Sequence, residues 1–172
     1  MKTITAVAAQ KMIKAGSIDE KLFNEGYTIV MPKKQANNWL KALRSGEYIQ
    51  TASALHNSET GGFCCLGVEQ YCNNDGYVEN TFNAKGKGDW NGFPTLKYLK
   101  SSGYLFVGSN NHSSYDPFIQ TEGKYGRPVS SLNDDTKFVT KKVNQHAKKS
   151  VKVHVNSFSK IADILEKAML VY

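Results

Sequence analysis

The stretch from residue 33 to residue 45 reads KKQANNWLKALRS and predicts the clearest helix in the first half of the chain. Its apolar residues recur at i, i+3, i+4 and i+7, which places them on one buried stripe: Ala36, Trp39, Leu40 and Leu43. Gly46 follows directly and is suited to the left-handed conformation that ends many helices. This segment predicts a helix packed against a core.

The remaining elements predict a helix-rich α+β single domain with a small antiparallel sheet. Short buried strands are expected at residues 27–31 and 104–107, and further helices at residues 63–73 and from Phe158 onward. We expect residues 1–32 to form an N-terminal extension. Residues 33–172 are expected to form one globular domain, with a Lys-rich insertion at about residues 135–156.

The composition predicts the kind of partner and the compartment. The formal net charge is +7, with 22 Lys and Arg against 15 Asp and Glu, which favours polyanions or an acidic protein surface. The three cysteines, two of them adjacent, make a poor disulfide framework and predict reduced thiols in a cytoplasm. No apolar run is long enough for a membrane span, so no membrane partner is expected. The oligomeric state is left open.

Three motifs occur in a specific order along the chain. The first is Trp39 followed by Ala-Leu-Arg-Ser-Gly and Tyr48, the second is Cys-Cys-Leu-Gly at residues 64–67, and the third is Leu-Asn-Asp at residues 132–134. An Ile-Ala-Asp helix near the carboxyl end completes the pattern. The order resembles a widespread group of small uncharacterised proteins encoded by bacteriophages and prophages.

This resemblance implies a phage accessory protein that acts in the host bacterial cytoplasm, of the kind that interferes with host defence or redirects host enzymes. The chain departs from the pattern by its N-terminal residues and by the Lys-rich insertion. A function that rests on the insertion is therefore expected to be special to this chain.

The adjacent residues Cys64 and Cys65 allow two interpretations. A thiol at the start of a helix has a lowered pKa and serves as a nucleophile when a base such as His112 is near. Glu69 lies on the helical face next to Cys65, which favours Cys65 as the more exposed thiol. The alternative is that both are small core residues, because free cysteine is among the most buried residue types.

Several polar residues are candidate binding residues, each with a structural alternative. Arg44 lies in the last turn of the helix at residues 33–45, and Tyr48 follows that helix. Arg44 either binds a phosphate or carboxylate or complements the helix dipole. Asn133 and Asp134 either bind a ligand or cap the segment that follows them. The Lys-rich insertion supplies either a phosphate-binding face or a solvated one. Its candidate binding residues are Lys141, Lys142, Lys148 and Lys149.

These observations predict a non-catalytic protein that binds a host protein, a nucleic acid or a nucleotide signal. Two alternatives remain open: a cysteine hydrolase or transferase that uses a Cys-His pair, and a virion-associated or structural phage protein. The cysteine and histidine spacings predict no metal site, and no cofactor is expected.

Overall fold

The computed structural model describes residues 1–79, 81–82, 93–111, 114–119, 126–142 and 148–172. The helices in these residues are α1 (Ala6–Ala15), α2 (Glu20–Asn24), α3 (Lys33–Ser45), α4 (Cys65–Asn73), α5 (Leu96–Ser102), α6 (Val129–Asp134) and α7 (Phe158–Lys167). The strands are β1 (Lys2–Thr3), β2 (Ile29–Met31), β3 (Ile49–Gln50), β4 (His56–Asn57), β5 (Gly62–Phe63), β6 (Thr81–Phe82), β7 (Leu105–Phe106), β8 (Gly108–Asn111), β9 (Ser114–Ile119), β10 (Arg127–Pro128), β11 (Thr136–Lys142), β12 (Lys148–His154) and β13 (Met169–Val171).

The central sheet has the strand order β1-β13-β2-β7. Its inner strands β2 and β13 are apolar at every position and buried throughout. Uninterrupted apolar strands are typical of a sheet that is covered on both faces. The sheet therefore needs a layer of helices on each side.

Alternate residues of these strands point to the two layers, since side chains along a strand alternate between the faces of a sheet. Val30 and Leu170 pack with Ala9 and Met12 of α1 in one core cluster. Their neighbours along the same strands pack in a second, larger cluster with α3, α4 and α7. Residues 1–32, expected as an extension, thus supply one covering layer and an inner strand of the same fold.

The α+β class is confirmed, and the strand pairing is more varied than the single antiparallel sheet that was expected. In the central sheet β1 and β2 both run parallel to β13, whereas β2 and β7 are antiparallel. A parallel pair requires a crossover connection, and helices α3 to α7 lie between β2 and β13 in the chain. A second mixed sheet has the order β3-β5-β4-β6, and the smaller sheets of β8–β10 and β11–β12 are antiparallel.

Candidate functional site

A two-stranded antiparallel ribbon, formed by β11 and β12, occupies most of the Lys-rich stretch; we call it the basic ribbon. Within the described residues its strands pair only with each other, through seven registered positions from Thr136–His154 to Lys142–Lys148. Val151, Val153 and Val155 alternate with Lys152 and His154, which predicts a strand at these residues. The apolar and polar residues of β11 do not alternate strictly, so that strand is not apparent from its pattern.

Nearly all of the net charge lies in the basic ribbon. Residues 136–154 contain six Lys and no Asp or Glu, while the remaining 153 residues contain 16 Lys and Arg against 15 Asp and Glu. Lys141 is registered opposite Lys149, and Lys142 opposite Lys148. Like charges directly opposite each other across two strands are destabilising, and a bound anion would offset that cost.

The ribbon also carries an exposed aromatic residue. Phe138, in β11, leaves 74% of its surface exposed and is registered opposite Lys152. Its sequence neighbour Lys137 is exposed as well. Phe138 is therefore a single exposed apolar side chain on a strand that also carries lysines.

The base of the ribbon is fastened to the core at Asn133. His154 Nδ1 lies 2.8 Å from the Asn133 carbonyl oxygen, and because a carbonyl only accepts, this nitrogen carries the proton. The Asp135 carbonyl accepts from the Val155 N–H at 2.8 Å. The Leu132 carbonyl accepts from Asn156 Nδ2 at 3.0 Å. These bonds fix where the ribbon leaves the domain.

The Asn133 side chain joins three segments of the chain. Its Oδ1 accepts from the Cys65 N–H at 3.2 Å and from Gln50 Nε2 at 3.3 Å. Its Nδ2 donates to the Thr51 carbonyl at 2.7 Å and to Asp134 Oδ1 at 2.9 Å. Asn133 is fully buried, so this set of bonds satisfies a polar side chain that would be costly to bury alone.

The expectation that Asn133 and Asp134 cap a following segment is wrong. Both lie in the last turn of α6, and a strand follows them. Asn133 instead accepts from the first N–H of α4, a helix distant in sequence. Asp134 accepts from the Ser53 N–H at 3.2 Å. The pair therefore holds the fold together around the start of α4.

Cys64 and Cys65 lie at the start of α4, and both are buried. Burial raises the pKa of the Cys64 thiol to about 12 and the pKa of Cys65 well above its usual value. The loss of hydration outweighs the favourable field of the helix start, so both thiols are protonated at neutral pH. The expected base, His112, lies outside the described residues.

We expect native Cys64 and Cys65 to resist alkylation by iodoacetamide at pH 8, because a buried, protonated thiol is a poor nucleophile. Cys72 is partly exposed, but its pKa is raised to about 12, mainly by burial, so it should react slowly. All three should react once the chain is unfolded in denaturant. Mass spectrometry of the digested protein locates each adduct, and rapid native labelling of Cys65 would restore the nucleophile interpretation.

Arg44 and Tyr48 both have partners within the domain. Arg44 donates to Asp163 Oδ1 at 2.7 Å and to Glu166 Oε2 at 2.6 Å, which joins the end of α3 to α7 and raises the pKa of Arg44. Tyr48 packs edge-on against Phe63, with ring centroids 5.5 Å apart. Neither partner set was expected from the sequence, because it depends on elements far along the chain.

A family model described as a domain of unknown function (DUF8296) matches residues 31–169. The chain belongs to the DUF8296 family. No curated protein and no solved structure matches it. The match contains the basic ribbon and all three motifs, whereas α1 and α2 precede it.

In this DUF8296 protein the described residues contain no helix that is long and apolar enough to cross a membrane. In the same part of the chain, no three His, Cys, Asp or Glu side chains are grouped so that they can hold a metal ion.

The prediction that the face carrying Glu69 is exposed is wrong. Glu69 is fully buried, and Tyr98 donates to both of its carboxylate oxygens at 3.1 Å. Asn73 Nδ2 donates to the same carboxylate at 3.1 Å. Burial raises the pKa of Glu69 to about 7 despite these bonds. The sequence gives little sign of this, because Tyr98 is 29 residues away.

Glu69 should make the stability of the DUF8296 domain depend on pH. Its pKa is raised on folding from 4.5 to about 7, so the protonated native carboxyl contributes stability that is complete below pH 4.5 and is lost as pH rises through 7. We expect this contribution to fall by about 2 to 3 kcal/mol between pH 5 and pH 8.

The comparison is between the wild type and Glu69→Gln, whose amide does not titrate. Denaturant unfolding measures the free energy of unfolding at each pH. Relative to the wild type, this free energy should rise in the variant by about 2 to 3 kcal/mol between pH 5 and pH 8. Parallel stability curves for the two proteins would contradict the assignment.

Proposed function

We propose that this DUF8296 protein is a non-catalytic binding protein whose basic ribbon engages the phosphates of a nucleic acid. The observation that carries the proposal is the concentration of charge: six Lys and no acid in residues 136–154, against a nearly balanced remainder. Charges that are clustered on one element, and not spread over the surface, are typical of phosphate recognition.

The shape of the ribbon favours an extended polyanion over a single nucleotide. Seven residues in each strand give a length of about 23 Å. Successive phosphates of one strand advance by about 3.4 Å along a duplex axis, so the ribbon spans several of them. Sites for small ligands are concave and enclose the ligand, whereas this ribbon pairs with no other strand in the described residues.

The polar residues near the start of α4 support a binding role over a catalytic one. The thiols of Cys64 and Cys65 are buried, and the Asn133 side chain is fully used in hydrogen bonds within the fold. The alternative cysteine hydrolase requires an accessible thiolate beside an imidazole. The burial of both sulfurs weighs against it.

The proposed setting is the host bacterial cytoplasm, with the chain acting as a bacteriophage accessory protein in host takeover or against host defence. The order of the three motifs supports this setting. Binding of nucleic acid there would act on a process in which the host handles DNA or RNA.

The proposal is tested by fluorescence anisotropy with a labelled twelve-nucleotide DNA, as single strand and as duplex, from 50 to 300 mM salt. We expect binding at 50 mM salt that weakens steeply as the salt concentration rises. The logarithm of the association constant plotted against the logarithm of the salt concentration should have a slope of about −3 or steeper, because neutralised phosphates release counterions. The proposal would be refuted if, at 50 mM salt, the protein bound none of three probes: the single-stranded DNA, the duplex DNA and an RNA of the same sequence. An acidic polypeptide that binds while nucleic acid does not would instead indicate a protein partner.

A further inference from the structure

A cluster of four rings lies where the mixed sheet β3-β5-β4-β6 meets α4; we call it the aromatic cluster. Phe63 is at its centre. Tyr48 and Tyr71 pack edge-on against Phe63 with centroids 5.5 and 5.1 Å away, and they contact each other at 6.0 Å. His56 stacks on Phe63 at 4.3 Å with an interplanar angle of 21°.

The aromatic cluster is only partly covered by the protein. Phe63 is buried, but Tyr71 leaves 40% of its surface exposed, and Tyr48 and His56 are partly exposed. The neighbouring Ile49 is 61% exposed. Burial lowers the pKa of His56, so its ring is neutral at pH 7 and behaves as a flat aromatic surface. A group of packed, partly exposed rings is available to a planar ligand.

A hydrogen bond from β3, the strand that follows Tyr48, reaches the base of the ribbon. Gln50 follows Ile49 in β3, and its Nε2 donates to the Asn156 carbonyl at 3.0 Å. Asn156 lies two residues after His154, where the ribbon ends. Tyr48 precedes Gln50 by two residues, a distance of about 7 Å along an extended chain. The cluster therefore lies beside the point where the ribbon leaves the domain.

We propose that the aromatic cluster is a stacking platform for nucleobases, and that the nucleic acid held by the basic ribbon is single-stranded. This inference rests on the proposed function of the ribbon. A duplex keeps its base faces stacked inside and offers only groove edges, whereas a single strand offers the faces themselves. Proteins that bind single strands combine a basic track for the phosphates with aromatic side chains for the bases, and this chain places the two side by side.

The test compares two labelled probes of twelve units each: oligothymidine and an abasic deoxyribose-phosphate strand with the same charge. Each is titrated at 100 mM salt against the wild type, Tyr71→Phe and Tyr71→Leu. Stacking of one base contributes about 1 to 3 kcal/mol, so we expect the wild type to prefer oligothymidine by about tenfold or more. Tyr71→Phe should keep the preference, and Tyr71→Leu should lose most of it while binding the abasic strand as the wild type does.

The outcomes separate this inference from the proposed function. Equal binding of both probes by the wild type would refute base stacking by the aromatic cluster but would still agree with phosphate binding by the ribbon. Failure to bind either probe would refute the proposed function itself. A second measurement needs no variant: 5-bromouracil oligonucleotides are photo-crosslinked to the wild type. Adducts on Tyr48, His56 or Tyr71 are expected, and adducts confined to other segments would overturn the inference.

Discussion

Replacing Gly67 with alanine is expected to destabilise the native state by about 4 kcal/mol, at the severe end of single substitutions. A Cβ at this position would lie 1.7 Å from the Leu55 carbonyl oxygen and 2.5 Å from its carbon. These are backbone atoms, so no rotamer change relieves the overlap. The same oxygen accepts from the Cys64 N–H at 3.2 Å, and moving it would break that bond too.

The matched control is Gly46→Ala, at the end of α3. Gly46 has a φ of +78° and open space around its Cβ position, so the substitution carries only backbone strain of about 1 kcal/mol. Denaturant unfolding of both variants measures the difference. If the Gly67→Ala variant were no less stable than the Gly46→Ala variant, that result would contradict the close contact between Gly67 of α4 and the Leu55 backbone.

The second large effect is expected from the four lysines at the end of the ribbon that lies opposite its base. A variant with Lys141, Lys142, Lys148 and Lys149 all replaced by Gln should bind a single-stranded oligonucleotide about a thousandfold more weakly at 50 mM salt. The log–log salt slope should become shallower by about 3, since each lost phosphate contact on a single strand removes about 0.7. Anisotropy over a range of salt concentrations measures both quantities.

The control for this variant removes the same charge from elsewhere: Lys11, Lys14, Lys97 and Lys100 are replaced by Gln. Those lysines lie on α1 and α5, away from the ribbon in the chain. If affinity depended on net charge alone, the two quadruple variants would weaken binding equally. That result would contradict the assignment of the site to the ribbon.

The regular helices could be predicted from local sequence because their signals are local. The stripe in α3 is buried as expected, and α3 ends at Ser45 before Gly46. The sequence offers Asn156 or Ser157 as the cap of α7, and Ser157 is the cap, since its side chain accepts from the Lys160 N–H. The end of α7 differs: the helical spacing of apolar residues from Phe158 continues to Met169 and predicts a longer helix, whereas Met169 lies in β13. Pairing of Met169 with Ile29, 140 residues earlier, decides that boundary.

The candidate site was less predictable because its geometry depends on contacts between distant segments. The positions of the ribbon lysines follow from composition, but the register that pairs Lys141 with Lys149 does not. Asn133 was recognised as a polar residue with a role, but its bond to Cys65 becomes visible only when α6 meets α4. This bond also gives a physical reason for the Cys-Cys-Leu-Gly and Leu-Asn-Asp motifs to occur together.

The most direct test of the ribbon as the binding element is an NMR titration of the ¹⁵N-labelled protein with a twelve-nucleotide single strand. We expect the largest amide shifts in residues 136–154 and smaller ones near Tyr48 and Tyr71, with α1 unaffected. Shifts centred on other segments, with the ribbon amides unchanged, would contradict this expectation.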